Sequence, residues 1–241
     1  MRPSNLPSKK PVGRLLLISA TIAAIALGAF ATAASARPAA NWNKSVVRTP
    51  AATHVLGNPA AKVKLAEYVS YTCSHCAHFT VDAEGPLRLA YVSTGTVAIE
   101  VKHLLRDPID LTAALLAHCG PSDKFFGNHL ALMRGQARWI EPLTSPTPAQ
   151  RSRWTSGAKL ERLRAIAGDF GLYRLLEARG YSRPQLDHCL ADDALAQRLS
   201  AQGADAQKLG ITATPSFAIN GTLLAGTHDW ATLEPQLKLR M

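Results

Sequence analysis

Apolar residues occupy every second position in two stretches of the chain, residues 62–70 and 96–105. A period of two is the pattern of a β-strand with one buried face, because successive side chains of a strand point to opposite sides of the sheet. Both stretches therefore predict strands. Glu67 shares the parity of the apolar residues in the first stretch, so its side chain is expected to point inward.

Between these two strands the apolar residues recur at the spacing of a helix. Phe79, Ala83 and Leu87 share one face within residues 77–94, which predicts a helix there. The dipeptide Gly85-Pro86 predicts a kink in this helix, because proline has no backbone N–H to donate.

Residues 108–210 show helical periodicity almost throughout. Asp107 is a suitable N-cap for the first of these helices, and Gly120 follows its end. After this region the chain returns to apolar runs on either side of Asn220-Gly221, a dipeptide that favours tight β-hairpins. A last helix is expected to begin after Asp229 as its N-cap.

The order of these predicted elements indicates the fold class. A β-α-β unit followed, after a long helical stretch, by a β-β-α unit predicts an α/β protein with a thioredoxin-like fold, in which helices flank a central sheet. We assign residues 61–107 to the first half, 108–210 to an all-helical insertion and 211–241 to the second half. Residues 37–60 carry turn residues and little periodicity, and they predict an N-terminal leader segment.

The first 36 residues have a different composition. A basic start without acidic residues precedes an apolar run at residues 15–34 and the small residues Ala34-Ser35-Ala36. This layout is typical of a secretory signal peptide, so residues 1–36 predict export. The alternative is an uncleaved membrane anchor, since about 20 apolar residues can span a bilayer. Export would place the four cysteines in an oxidising compartment, where disulfides persist.

The charge distribution argues against one class of partner. The formal net charge is +10, and +6 remains when the four basic residues of the predicted signal peptide are left out. The other basic residues are scattered and do not alternate with aromatic residues, so nucleic-acid binding is not expected. No dimerisation domain is evident in residues 37–60, and we expect a monomer.

The sequence YTCSHCAHF contains a Cys-x-x-Cys pair, Cys73 and Cys76. Haem attachment would need a histidine directly after Cys76, where this chain has alanine. A structural zinc site would need two more ligands, whereas Cys119 and Cys189 are isolated from each other in the sequence. We therefore expect no metal and no cofactor. A structural disulfide and a redox-active pair remain as alternatives.

The redox interpretation rests on the position of Cys73 between a predicted strand and a predicted helix. A helix N-terminus presents unpaired N–H groups and a partial positive charge, and both favour a thiolate. Cys76, one turn further along, is expected to be more buried and to act as the resolving thiol. His75 can donate to the thiolate and make the disulfide more oxidising. The alternative for His75 is an exposed loop position without a role.

A second motif, TATPSFAING, places Thr214 before Pro215 at the start of the last hairpin. With both motifs in this order around a helical region, the chain resembles the DsbA-like thiol:disulfide interchange proteins of the bacterial envelope. The resemblance implies that Cys73 is the nucleophile and Cys76 its partner. It also implies that Pro215 is a cis-proline beside the disulfide and that the backbone of Thr214 pairs with a bound peptide.

The resemblance gives Glu67 a role as well, because a buried acidic residue of the family at this position implies a proton relay to Cys76. The alternative is a glutamate that reaches solvent.

Two departures from the family concern the direction of the reaction. Ser74 stands where the family's well-known oxidase has proline, and Thr214 is more similar to the corresponding residue of the disulfide isomerases.

The remaining cysteines, Cys119 and Cys189, lie 70 residues apart in the predicted helical region. We predict a second, structural disulfide between them. Closing a loop of that length would stabilise the fold by about 4 kcal/mol in the chain-entropy model. The alternative is two separate buried thiols.

Together these features predict a periplasmic thiol:disulfide oxidoreductase that donates the Cys73–Cys76 disulfide to exported, cysteine-containing proteins. A membrane redox partner would return the pair to its starting state. One alternative is a disulfide isomerase or reductase. The other, from a different class, is a non-catalytic chaperone or adaptor with a thioredoxin-like fold, in which the cysteine pair is only a staple.

Overall fold

The computed structural model describes residues 40–241 of the chain. The predicted signal peptide, residues 1–36, lies outside the described residues. Within residues 40–241, no helix combines the length and the apolar content that are needed to cross a membrane.

A six-stranded mixed sheet lies at the centre of the described region. Its strands are β1 (Val46–Arg48), β2 (His54–Leu56), β3 (Val63–Val69), β4 (Val97–His103), β5 (Ser216–Ile219) and β6 (Thr222–Leu223). They are ordered β1-β2-β4-β3-β5-β6 across the sheet, with β3 parallel to β4 and antiparallel to β5. Along β3 the alternating residues Val63, Leu65, Glu67 and Val69 are all buried.

Nine α-helices accompany the sheet within the described residues. They are α1 (Ser74–Pro86), α2 (Pro108–Ala117), α3 (Phe125–Trp139), α4 (Pro148–Thr155), α5 (Lys159–Asp169), α6 (Leu172–Glu177), α7 (Arg183–Leu190), α8 (Asp193–Lys208) and α9 (Trp230–Lys238). Helices α2 to α8 lie between β4 and β5 in the chain, and they form the helical insertion. The β-α-β and β-β-α units on either side confirm the predicted thioredoxin-like fold.

Local signals in the sequence define several element boundaries. The Asp107 side chain accepts the backbone N–H of Asp110 at the start of α2, and Asp229 accepts that of Thr232 at the start of α9. In the hairpin between β5 and β6, Asn220 has φ 50° and Gly221 has φ 82°. A two-residue turn with positive φ at both positions matches the twist of a hairpin, which explains the Asn-Gly pair.

The predicted leader segment contains two strands that its sequence pattern did not reveal. β1 pairs with β2, and β2 pairs with the edge of β4, where His54 lies opposite Val101 and Leu56 opposite Ile99. Each of these strands has three residues, which is too short for alternation to be recognised. Pairing with β4, rather than a pattern of their own, determines their conformation.

The kink predicted at Gly85-Pro86 takes the form of a change in helix type. Helix α1 ends at Pro86, and the chain continues as a π-helical segment, Leu87–Val92. The missing N–H of proline interrupts the α-helical ladder, and a wider turn accommodates the interruption. Leu87, Tyr91 and Val92 remain buried, so the segment still packs on the core.

One hydrophobic core joins the sheet, α1 and the helical insertion. Phe217 of β5 contacts Phe79 of α1, with ring centroids 4.6 Å apart. Helix α3 of the insertion packs against α1. The N-terminal end of α1 is therefore held by the sheet on one side and by the insertion on the other.

Candidate functional site

Cys73 and Cys76 lie where β3 leads into α1. Cys73 is the N-cap residue of α1, and Cys76 lies in its first turn. Both side chains are free thiols, and Cys73 is 5% exposed whereas Cys76 is 0% exposed. The sulfur at the end of the helix is thus the one that a reactant can reach.

The surroundings of Cys73 favour its thiolate. The hydrogen bond from the Cys76 side chain contributes most to lowering the pKa of Cys73 to about 4. The Thr214 side chain and the backbone N–H groups of Cys76 and His75 act in the same direction, whereas burial of the side chain opposes them. The unpaired N–H groups of the helix N-terminus therefore supply part of this stabilisation, as expected from the position of Cys73.

Cys76 has the opposite character. Its hydrogen bond to Cys73 and its burial raise the pKa of the Cys76 thiol well above its ordinary value. At neutral pH the pair therefore carries one negative charge, on the Cys73 sulfur, and Cys76 is a protonated thiol. This asymmetry gives the two sulfurs different chemical roles.

The TATPSF motif meets the cysteine pair in space. The Thr214–Pro215 peptide bond is cis, and Cys73 Sγ lies 3.2 Å from the Thr214 carbonyl oxygen, to which it donates a hydrogen bond when it is protonated. Antiparallel pairing of β3 with β5, in which Tyr68 lies opposite Ser216, brings these distant parts of the chain together. Thr214 is half-buried and Pro215 is buried.

Glu67 is a buried acid on the inward face of β3. Burial raises the pKa of its carboxyl group to about 8, and Glu67 Oε1 has no hydrogen-bond partner among the described residues. The side chain lines a cavity of about 40 Å³ together with Phe79 and Thr80 of α1, which is large enough for water. Because Thr80 Oγ1 donates to the Cys76 carbonyl, 2.9 Å away, this cavity lies beside the turn that carries Cys76.

Ser74 and His75, the two residues between the cysteines, are both exposed. The backbone N–H of His75 stabilises the Cys73 thiolate. Its imidazole forms no hydrogen bond within residues 40–241. The roles expected for the side chains of Ser74 and His75 therefore stay predictions.

In the structure, a disulfide joins Cys119 to Cys189, with Cα atoms 5.6 Å apart. Cys119 follows α2, and Cys189 lies in α7. The bond therefore connects two helices of the insertion. Neither cysteine belongs to the group of residues around Cys73.

Two residues of the insertion bind the loop that precedes Cys73, and sequence reasoning missed both. Asp110 Oδ1 accepts the backbone N–H of Tyr71, 2.7 Å away. Gln136 Nε2 donates to the carbonyls of Tyr71 and Cys73, at 2.7 and 2.9 Å. Asp110 carried a signal, since an aspartate at the third position of a helix that already has an N-cap is available for another role. Gln136 carried none.

Sequence reasoning also missed a cluster of buried histidines between the sheet and the insertion. Its members are His54, His103, His118 and His129, which surround Phe125. His103 Nε2 and His118 Nε2 are 3.0 Å apart, and His129 Nδ1 is 3.0 Å from the Tyr71 hydroxyl. Within the described part of the chain, no three His, Cys, Asp or Glu side chains are arranged to hold a metal ion.

Comparison with known proteins places this geometry in context. A family model described as thioredoxin matches residues 49–238. A protein-disulfide isomerase from Novosphingobium aromaticivorans is 52% identical in sequence, with a TM-score of 0.75 over 78% of this chain and 96% of that one. The alpha-DsbA1 protein of Wolbachia pipientis shares the fold at 23% identity, with a TM-score of 0.60 over 77% of this chain and 88% of that one.

A curated relative points the same way. A Rickettsia typhi protein, named as a candidate protein-disulfide oxidoreductase, is 28% identical over 169 residues, which cover 69% of this chain and 54% of that protein. The matched region spans about half the length of this relative and of similar Rickettsia proteins.

Proposed function

Because this chain belongs to the thioredoxin family, we propose that it is a thiol:disulfide oxidoreductase of the DsbA type, which donates its Cys73–Cys76 disulfide to exported proteins in the periplasm. One observation carries this proposal. The accessible Cys73 sulfur has a pKa lowered to about 4, and it lies 3.2 Å from the carbonyl oxygen that precedes a cis-proline.

The low pKa of Cys73 supports the direction of the reaction. A stabilised thiolate stabilises the reduced pair relative to the disulfide, so the disulfide is a stronger oxidant. Strong oxidants of this kind carry cysteines with pKa values down to about 3.5, whereas the reductant thioredoxin has one near 7. The value for Cys73 therefore favours donation of the disulfide over reduction of substrates.

The proposed reaction consists of two exchanges. A substrate thiolate attacks Cys73 Sγ of the oxidised pair, a mixed disulfide forms, and Cys76 leaves and takes up a proton. A second substrate thiolate then attacks the substrate sulfur of the mixed disulfide, and Cys73 leaves as a thiolate. The substrate loses two electrons and gains a disulfide, and the cysteine pair gains the two electrons.

Glu67 and Thr214 have supporting roles in this proposal. Cys76 needs a proton when it leaves, because its own pKa is raised. Glu67 is protonated at neutral pH, since its pKa is about 8, and it can supply that proton through water in the cavity it lines. The backbone of Thr214 lies beside Cys73 and can pair with an extended substrate segment. A membrane redox partner would then accept the two electrons and restore the disulfide.

A second candidate function is disulfide isomerisation. The 52% identical Novosphingobium protein is named a protein-disulfide isomerase, and Thr214 is similar to the corresponding residue of the disulfide isomerases. An isomerase must be reduced to begin its reaction, because its thiolate attacks an existing disulfide. The redox state of the pair at equilibrium thus separates the two functions.

The decisive experiment measures the equilibrium of the Cys73–Cys76 pair with glutathione and, in parallel, the oxidation of a reduced peptide with two cysteines. A donor is expected to have a reduction potential of about −120 mV and to oxidise the peptide stoichiometrically. A reduction potential of about −270 mV, the thioredoxin value, would contradict donation. Reactivation of a scrambled disulfide protein by the reduced form, without peptide oxidation by the oxidised form, would favour the isomerase.

A further inference from the structure

The loop between β3 and α1 determines where the Cys73 sulfur stands, and this loop is held largely from outside. It comprises residues 70–72, and Cys73 follows as the N-cap of α1. The insertion contacts it at two points, through Asp110 of α2 and Gln136 of α3.

Gln136 makes the more direct of the two contacts. Its side-chain nitrogen lies 2.7 Å from the Tyr71 oxygen and 2.9 Å from the Cys73 oxygen. A primary amide has two N–H groups, so both bonds form at the same time. Gln136 is 4% exposed, so water cannot readily replace either bond.

These two bonds constrain the Tyr71–Thr72 and Cys73–Ser74 peptide units. The Cys73 carbonyl also accepts the N–H of Ala77, 3.3 Å away, as the first hydrogen bond of α1. The side chain of Gln136 thus binds the same oxygen that begins the helix. Because that carbonyl belongs to Cys73 itself, holding it fixes the backbone from which the sulfur reaches the N–H groups of His75 and Cys76.

Asp110 binds the other backbone polar group of Tyr71, its N–H. Its Oδ1 accepts the Tyr71 N–H, and its Oδ2 accepts the Arg106 N–H, 3.1 Å away. Tyr71 therefore has its donor bound by one helix of the insertion and its acceptor bound by another. Asp110 also anchors the start of α2, so a change there would disturb more than the loop. Gln136 is the cleaner probe.

We propose that Gln136 is a positioning residue for Cys73, whose two N–H bonds to the Tyr71 and Cys73 carbonyls keep the sulfur directed at the N-terminus of α1 and at the Thr214 carbonyl. This proposal rests on the proposed function of Cys73 as the reacting sulfur. Gln136 does not touch the reacting sulfur. Its effect on exchange passes through the backbone of the loop.

The test replaces Gln136 by methionine, which has similar volume and no N–H donor. Without those donors the two carbonyls are buried and unpaired, and the loop must rotate to find other partners. We expect Gln136→Met to raise the pKa of Cys73, measured from thiolate absorbance at 240 nm, by about 1, and to lower the equilibrium constant for oxidising glutathione about tenfold. If Gln136→Met does not fold, Gln136→Asn carries the same expectation, because the shorter side chain withdraws the amide from both carbonyls.

Gln202 of α8 provides a matched control. It is 3% exposed, its amide donates to the Ala51 carbonyl at 2.8 Å, and it accepts the His103 N–H at 2.7 Å. Gln202→Met therefore removes a buried glutamine of the same insertion that binds the backbone of Ala51 and His103 and has no hydrogen bond to residues 70–73. We expect it to lose comparable thermal stability and to keep the wild-type pKa of Cys73.

Two outcomes would overturn the proposal. One is a Cys73 pKa in Gln136→Met equal to that of the wild type. The other is an equal shift in Gln202→Met, which would show that general loosening of the fold is sufficient. Neither measurement needs a protein substrate. If the wild-type protein does not oxidise peptides, the proposed function fails, while the thiol titrations still decide the role of Gln136.

Discussion

The chain carries two cysteine pairs whose surroundings differ in almost every respect. Cys73 and Cys76 share one helix turn, are both reduced, and contact the segment around a cis-proline. Cys119, just after α2, and Cys189, in α7, are 70 residues apart and are joined by a disulfide. The first pair closes almost no loop of chain, whereas the second closes a large one.

Under the proposed function, this difference predicts reactivity for one pair and a stabilising role for the other. Nearby N–H groups and the partner thiol stabilise the Cys73 thiolate, and a stabilised thiolate makes a disulfide easy to reduce. Around Cys119 the benefit of the bond comes from restricting the unfolded chain. The same kind of bond, a disulfide, is therefore expected to be easily reduced between Cys73 and Cys76 and to stabilise the fold between Cys119 and Cys189.

The largest effect is expected from removing the reacting sulfur. Cys73→Ser leaves no sulfur that a substrate can reach, so peptide oxidation should fall about 1,000-fold or more. The rate is measured by the appearance of a disulfide in a two-cysteine peptide. Unchanged activity in this variant would eliminate the proposed exchange site, since Cys76 is fully buried.

Removing the second pair should affect stability and spare exchange. The double variant Cys119→Ala, Cys189→Ala is expected to lose about 4 kcal/mol of unfolding free energy, the chain-entropy value for a loop of this length. Urea denaturation gives this number, and the peptide assay shows whether exchange is retained. Loss of exchange in a folded double variant would show that the two pairs are not independent.

Reduction of the Cys73–Cys76 pair should stabilise the fold, whereas reduction of the Cys119–Cys189 disulfide should destabilise it. The pKa of Cys73 is about 4 in the fold, whereas that of an unperturbed cysteine thiol is 9.0. At pH 7 the folded chain therefore holds a thiolate that the unfolded chain does not, so reduction of this pair should stabilise the fold, by an amount on the order of a few kcal/mol. Thermal melts of the Cys119→Ala, Cys189→Ala variant, oxidised and reduced, isolate this effect. A lower melting temperature on reduction would contradict the low pKa of Cys73.

The smallest effect concerns pH and the groups that burial keeps uncharged. The pKa values of His54 and His103 are lowered to about 3 and that of His129 to about 4, from 6.5. Below pH 6.5 the unfolded chain binds protons that the folded chain does not, so stability falls with acid. Glu67 and Asp110 have pKa values raised to about 8 and about 7, so between about pH 4 and pH 8 they hold protons in the fold that the unfolded chain has released, and their contribution makes stability fall as the pH rises to about 8.

These opposing slopes predict a stability maximum at about pH 6.5. The expectation is for the oxidised protein, because its cysteine pair does not titrate. Urea midpoints at acid, neutral and alkaline pH test this expectation. Glu67→Gln is the informative variant, because a neutral amide removes one of the two acids responsible for the alkaline decline. A wild-type alkaline slope in that variant would show that Glu67 is ionised in the fold.

Much of the fold could be predicted because its central elements carry local signals. Strands β3 and β4 are long enough to alternate, and Asn220-Gly221 supplies the positive φ angles that the hairpin needs. Strands β1 and β2 could not be predicted, because three residues give no period. Their conformation depends on the open edge of β4, which is a property of the folded sheet.

The candidate site divides in the same way. Cys73, Cys76 and Pro215 stand in recognisable motifs, and the pattern of β3 already placed Glu67 inward. Gln136 could not be found, because its partners are backbone oxygens and the side chain lies on an ordinary buried face of α3. Backbone partners leave no mark in a single sequence.

The pairing of β3 with β5 has a consequence for how the site comes into being. Leu65 lies opposite Ile219 in this pairing, so the strand that brings Thr214 to Cys73 is synthesised about 140 residues after the two cysteines. A growing chain that has passed Cys76 already holds both thiols but lacks the surface on which a client would dock. The proposed exchange centre would thus form only after residues 214–219 have been synthesised, and shorter nascent chains would be poorly equipped to react with their neighbours.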